Sequence, residues 1–163
     1  MLKERFEQLV QALVSEIKCV YQGRLVSVVV FGSVGRGTQR FDSDVDILVV
    51  AENLPRGRIR RIEEFEEVER KVEPQLEALR EEGIHSRVSA IIKNPQEAEA
   101  GSPLFLDMVE DARILYDREG FFGSRLDRLK KRLDELGAKR VRRGNAWYWD
   151  LKPDYRPGEI IEL

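Results

Sequence analysis

Between Val28 and Val50 the chain reads VVVFGSVGRGTQRFDSDVDILVV. A Gly-Ser pair, Gly32-Ser33, closes one apolar run, and Asp44-Val45-Asp46 opens the next. Residues two apart on a β-strand share a face, so Asp44 and Asp46 point the same way while Val45 packs on the other side. Carboxylate oxygens are the ligands magnesium prefers, one or two per ion, completed by substrate phosphates and water. At the turn, a residue without Cβ lets a phosphate approach the backbone, and Ser33 adds a hydroxyl donor. A helix beginning at Ser33 or Val34 would aim its unpaired N–H groups at the same anion. A phosphate turn beside two acids is the equipment of metal-assisted phosphoryl or nucleotidyl transfer.

Each residue also has an ordinary role to weigh. Asp44, within DSD, fits a turn acid or helix cap, and Asp42 reads as a capping acid rather than a ligand. Asp46 is harder to explain that way. It interrupts the apolar run VDILVV, where a carboxylate is costly unless paired or metal-bound. Arg36 either presents its forked guanidinium to a phosphate or sits on the surface. Competing phosphate motifs fail on spacing: GSVGRG leads to Thr38 without the lysine of a Walker A loop, and Gly-x-Gly-x-x-Gly is absent from this turn.

The elements that must position these residues follow from periodicity. Phe6, Leu9, Val10, Leu13, Val14 and Ile17 predict an amphipathic helix over 2–21, with the lone Cys19 on its apolar side as a small core residue. Residues 25–31 and 45–50 read as buried strands, with a turn and one or two helical turns between them. A charged helix follows over 58–82, with Ile59, Ile62, Phe65, Val68, Val72, Leu76 and Leu79 on one face and a kink or break at Pro74. A strand over 86–92, a short connection from Asn94-Pro95, a helix over 103–110, a strand over 113–116 and a helix over 118–136 complete the body. The tail reads as a hairpin around Gly144-Asn145. The expected division is 1–120 for the site-bearing domain, with 121–163 as a helix and hairpin packed on it.

The 163 residues are 42% hydrophobic and 36% charged with net charge −2, which suits a globular domain with an ionic surface and argues against blanket binding of nucleic acid. The basic stretch Lys130 to Arg143 with Trp147, Tyr148 and Trp149 would make a nucleic-acid surface or, equally, pack the tail onto the core. One cysteine excludes a disulfide framework. The charged N-terminus and the lack of long apolar runs predict a cytoplasmic protein without a membrane span.

Gly32-Ser33, ten residues, then Asp44-Val45-Asp46 resembles the signature of the minimal nucleotidyltransferases of the DNA polymerase β superfamily. VVVF before it, Arg36-Gly37 and Ser43-Asp44 resemble the usual embellishments, and the tail is similar to that of an archaeal-type stand-alone subgroup. The resemblance implies an α/β (α+β) fold, a small mixed sheet flanked by helices. Asp44 and Asp46 would hold two Mg²⁺ ions, and an NTP, ATP favoured, would lie against Gly32 and Ser33. Its nucleotide monophosphate would pass to a hydroxyl of a protein, an RNA or a small molecule. The third carboxylate that such enzymes carry on a later strand falls here on Ser89. Glu97, Glu99 and His85 are weak substitutes, since the two acids read as a solvated helix start and His85 as a surface or capping residue. The spacing Arg80 to His85, shared with HEPN ribonucleases, spans Gly83 and is accidental. Ser89 keeps open a catalytically weak alternative, an antitoxin-like partner of a HEPN-type protein. The small size leaves room for a homodimer or a separate partner to position the acceptor.

Overall fold

The computed structural model describes residues 1–144 and 146–163, so the expected hairpin-turn residue Asn145 lies outside the described residues. Helices run α1 Leu2–Tyr21, α2 Gly32–Arg36, α3 Arg58–Glu81, α4 Pro95–Ala100, α5 Phe105–Asp111 and α6 Phe121–Leu136. Strands run β1 Leu25–Phe31, β2 Val45–Ala51, β3 Val88–Lys93, β4 Arg113–Asp117, β5 Lys139–Arg143 and β6 Ala146–Asp150.

The first four strands form one mixed sheet in the order β3-β2-β1-β4. β1 is antiparallel to β2 and β4, whereas β2 is parallel to β3. Both faces of this sheet are covered, which is why the inner strands read as unbroken apolar runs. On one face Val45, Ile47 and Val49 meet Phe6, Leu13 and Ile17 of α1 and Phe65, Val68 and Val72 of α3. On the other, Leu48 and Val50 meet Phe105 and Met108 of α5 and Phe122, Leu126 and Leu129 of α6. The architecture is the expected α/β arrangement of a small mixed sheet flanked by helices.

Several local expectations are corrected. Cys19 is exposed rather than core. It lies two residues past buried Ile17, about 200° round the helix and off the buried stripe. No break divides α3 at Pro74: one helix runs through it. Pro74 and Arg70, whose carbonyl loses its partner, are both exposed, so water can satisfy that carbonyl. Ile59 and Ile62 do not join the apolar face but are 73% and 45% exposed, and burial on α3 begins at Phe65. The connection after Asn94 contains a helix of its own, α4, because Asn94 Oδ1 accepts the Glu97 N–H at 2.8 Å and Pro95 presets the first turn.

The last helix starts at Phe121 rather than near Arg118, because Glu119 (φ 54°) and Gly120 (φ 67°) turn the chain first. Asp117 fixes this corner. Its Oδ1 accepts the Ser27 hydroxyl at 2.6 Å and the Phe122 N–H at 2.9 Å, and its Oδ2 accepts the Gly123 N–H at 2.9 Å. That explains a fully buried serine in the middle of β1. Strands β5 and β6 form the expected antiparallel hairpin. It is anchored by Trp147 and Trp149, whose Nε1–H groups both donate to Asp107 Oδ1 at 3.1 Å, while Tyr148 is exposed. Among the described residues no helix is long and apolar enough to cross a membrane.

Candidate active site

The site is built where β1 ends and β2 begins. Antiparallel pairing sets Phe31 opposite Asp46, so the turn after Phe31 folds directly over the Asp46 side chain. Gly32 has φ +66°, and a Cβ placed on it would lie 2.2 Å from Asp46 Oδ2. Only glycine supplies both the left-handed backbone and the missing atom. The chain then makes the single short helix α2 and leaves it at Gly37 (φ +75°), with the Thr38 N–H donating to the Ser33 carbonyl at 2.9 Å. Gly35 is tight as well: a Cβ there would lie 2.6 Å from the Asp111 carbonyl oxygen and 2.9 Å from that of Val30.

Across the turn, Ser43 Oγ accepts the Arg40 N–H at 2.8 Å, shaping the approach to β2. Asp42 is an exposed turn residue. Asp44 is exposed, and its Oδ1 accepts the Arg87 N–H at 3.1 Å. Asp46 is half-buried. Burial pushes its carboxyl above the ordinary carboxylate range, the neighbouring Asp44 charge pushes it further, and Arg36 draws it back down. A half-buried carboxylate whose ionisation is made costly by burial and by a second carboxylate beside it, partly open to solvent, fits a divalent cation, which would neutralise both charges.

The two aspartates have no third acid beside them: among the described residues no group of three or more His, Cys, Asp or Glu side chains is arranged to hold a metal. Ser89 is the register partner of Asp46 on parallel β3, so the two side chains share a face, and Ser89 is exposed. The other carboxylates weighed from sequence are engaged elsewhere. Glu97 accepts two bonds from the Arg61 guanidinium, at 2.8 and 2.7 Å, and Glu99 is paired with Arg128 at 2.7 Å. His85 lies closer to the site than its sequence position suggested. It lines a polar cavity of about 620 Å³ together with Asp42, Asp44, Arg80, Ser86 and Arg87. Arg80 is in α3 and His85 beyond its end, so their spacing marks no shared helical face.

Arg36 is not loose on the surface. Its Nη1 lies 3.3 Å from Asp111 Oδ2, and its guanidinium stacks over the Trp147 ring at 4.8 Å from the centroid. Sequence reasoning singled out neither Asp111 nor Arg140 at this site, and it weighed Trp147 only as part of the tail. One signal was available: Asp111 ends an amphipathic helix just before a strand, a place where an acid is buried only if cations reach it.

The Nucleotidyltransferase domain family matches residues 7–116. Two proteins of Methanocaldococcus jannaschii are also similar. One, named Putative protein adenylyltransferase MJ1305, is 36% identical over 108 residues, covering 65% of this chain and 68% of that protein. The other, Putative protein adenylyltransferase MJ0604, is 37% identical over 46 residues, covering 28% of this chain and 46% of that protein. Among solved structures, a toxin-antitoxin with AMP-PNP aligns with TM-score 0.44 and 18% identity over 84% of this chain and 94% of that one. A putative nucleotidyltransferase from Sulfolobus solfataricus aligns with TM-score 0.42 and 22% identity over 72% of this chain and 85% of that one. The chain belongs to the nucleotidyltransferase domain family, a family of transferase enzymes.

Proposed function

We propose that this protein is a Mg²⁺-dependent nucleotidyltransferase that moves AMP from ATP to a hydroxyl group of a protein acceptor. The observation that carries the reading is the contact between Asp46 and the Cα of Gly32, which puts a carboxylate against the turn suited to a triphosphate. In this reading Gly32, Ser33 and Arg36 hold the triphosphate, and Asp44 and Asp46 hold two Mg²⁺ ions. The metal would supply charge neutralisation at the phosphates as pyrophosphate departs. Gly32 gives the phosphates access to the backbone, Ser33 donates a hydroxyl, and the two aspartates would hold the metal that offsets their repulsion of the reacting phosphate. The acceptor hydroxyl oxygen bonds to the α-phosphorus while the bond from that phosphorus to the bridging oxygen of the β-phosphate breaks; pyrophosphate leaves with the electron pair, and the hydroxyl proton passes to water. The adenylyl group and the protein acceptor are favoured because both similar Methanocaldococcus proteins bear the name Putative protein adenylyltransferase.

Binding can be measured before an acceptor is known. Calorimetric titration is expected to give ATP binding that requires Mg²⁺ and is lost in the Asp44→Asn/Asp46→Asn variant. Equal binding by that variant, or binding indifferent to Mg²⁺, would overturn the reading.

Ser89 favours a second reading, a catalytically weak nucleotide-binding protein that acts as an antitoxin-like partner of a HEPN-type protein. It sits beside Asp46 where the resemblance implies a third carboxylate, and serine is no carboxylate base. Ser89→Asp tests how much chemistry that position controls. On the second reading, pyrophosphate release from MgATP is expected to rise about a hundredfold, the scale of one general base. An unchanged rate would mean that catalysis here does not wait on that position.

A further inference from the structure

The C-terminal hairpin lies beyond residues 7–116, the part matched to the family, yet it reaches the phosphate turn. Trp147 is held from two sides. Its indole N–H donates to Asp107 Oδ1 at 3.1 Å, and the Arg140 guanidinium packs on the ring at 3.9 Å from the centroid. The Arg36 guanidinium stacks on the same ring at 4.8 Å. Trp147 is therefore a fixed aromatic plate on which the Arg36 fork rests, and stacking sets the plane in which that fork can offer its donors.

Asp111 completes the arrangement. Its carboxylate is 8% exposed and serves two arginines. Arg140 bonds both oxygens, at 3.3 Å to Oδ1 and 2.7 Å to Oδ2, whereas Arg36 makes a single longer contact of 3.3 Å to Oδ2. If Arg36 turns from Asp111 to a phosphate, the buried carboxylate keeps a bidentate partner, so the usual penalty for stranding a buried charge is avoided. Close packing of Gly35 against the Asp111 carbonyl keeps the distance between the turn and this cluster fixed.

We propose that the hairpin is a working part of the nucleotide site: Trp147 is a positioning residue that seats Arg36 for the triphosphate, and the Asp111–Arg140 pair holds Arg36 in reserve until phosphate arrives. The inference rests on the reading of Gly32 to Arg36 as the triphosphate turn. It assigns a role to a segment outside the family match, and it makes nucleotide affinity depend on a residue that touches no nucleotide.

The test uses the full chain and MgATP as probe. Trp147→Leu is expected to weaken MgATP binding about tenfold by calorimetry, the scale of a partly desolvated cation–π contact, and Trp147→Phe to restore it to within about twofold. In Arg36→Ala, adding Trp147→Leu is expected to cause no further loss, because the two residues act through one contact. Arg36→Lys leaves the hairpin untouched, keeps the charge and loses the planar stack, so it is expected to weaken binding about as much as Trp147→Leu, and it covers the case in which Trp147→Leu does not fold. The chain has two tryptophans, so in Trp149→Phe the emission reports Trp147 alone, and MgATP is expected to shift it. Wild-type affinity in Trp147→Leu and Arg36→Lys, additive losses in the double variant, or unresponsive emission would overturn the inference while leaving MgATP binding intact. Absence of MgATP binding by the wild type would instead remove the reading of the turn, and the inference with it.

Discussion

Asp46→Asn is expected to lower pyrophosphate release from MgATP by about a thousandfold or more and, at the same time, to raise the melting temperature of the metal-free protein. The first effect follows from the roles proposed for the two aspartates: loss of a charged ligand at the point of phosphoryl transfer removes electrostatic stabilisation that water cannot replace. The second follows from the environment of the carboxylate. Burial and Asp44 both push the Asp46 carboxyl up, so the folded protein resists its ionisation more than the unfolded chain does. A group whose pKa is raised on folding costs stability once the pH has risen through its folded-state value, and costs nothing below the ordinary carboxylate range. The gain from Asn should therefore be seen as a higher melting temperature at pH 7 and fade towards pH 3, with melts run in a chelator. Retention of pyrophosphate release by Asp46→Asn would refute the assignment.

Gly32→Ala should be nearly as damaging by a different route. A left-handed φ of +66° costs a residue with Cβ about 1 kcal/mol, which a domain of this size tolerates. The larger problem is space, because the new methyl group would lie 2.2 Å from Asp46 Oδ2 and one of the two must move. Moving the carboxylate takes it out of line with Asp44, so MgATP turnover is expected to fall about a hundredfold or more. Gly37→Ala separates strain from displacement. Its φ of +75° imposes a similar backbone cost, but nothing lies within 4 Å of the added atom. That variant should lose about 1 kcal/mol in denaturant unfolding and keep most of its turnover. Equal turnover in the two variants would show that the Gly32–Asp46 contact does not matter.

The geometry around Gly32 and Asp46 was legible in the sequence because it is local. Gly32, Ser33, Asp44 and Asp46 sit within one strand–turn–strand unit, where period-two alternation and a glycine turn determine which atoms meet. The helix α1 and the strands β1 and β2 were legible for the same reason: uninterrupted periodicity bounded by turn residues. Contacts set by tertiary geometry were not legible. Arg36 meets Asp111 across 75 positions, and nothing in either neighbourhood encodes the other. Ile59 and Ile62 show the limit of apolar patterning, which marks a face but not how far a neighbouring element extends over it, whereas Cys19 lies off the apolar stripe altogether. Pro74 shows that a proline on the exposed side of a packed helix need not end it.

Asp46 lies on β2, an inner strand laddered on both sides, with Asp44 just before it, whereas Ser89 lies on β3, which pairs only with β2 among the described residues and leaves this side chain exposed. The two kinds of position make different demands on the fold. Gly32 is held by its left-handed backbone and by its contact with Asp46 as well as by the role proposed for the turn, so it is constrained twice over. The side chain at position 89 contributes nothing to the core, and folding would accept serine, aspartate or threonine there alike. Position 89 can therefore be varied to probe the chemistry with little cost to the fold.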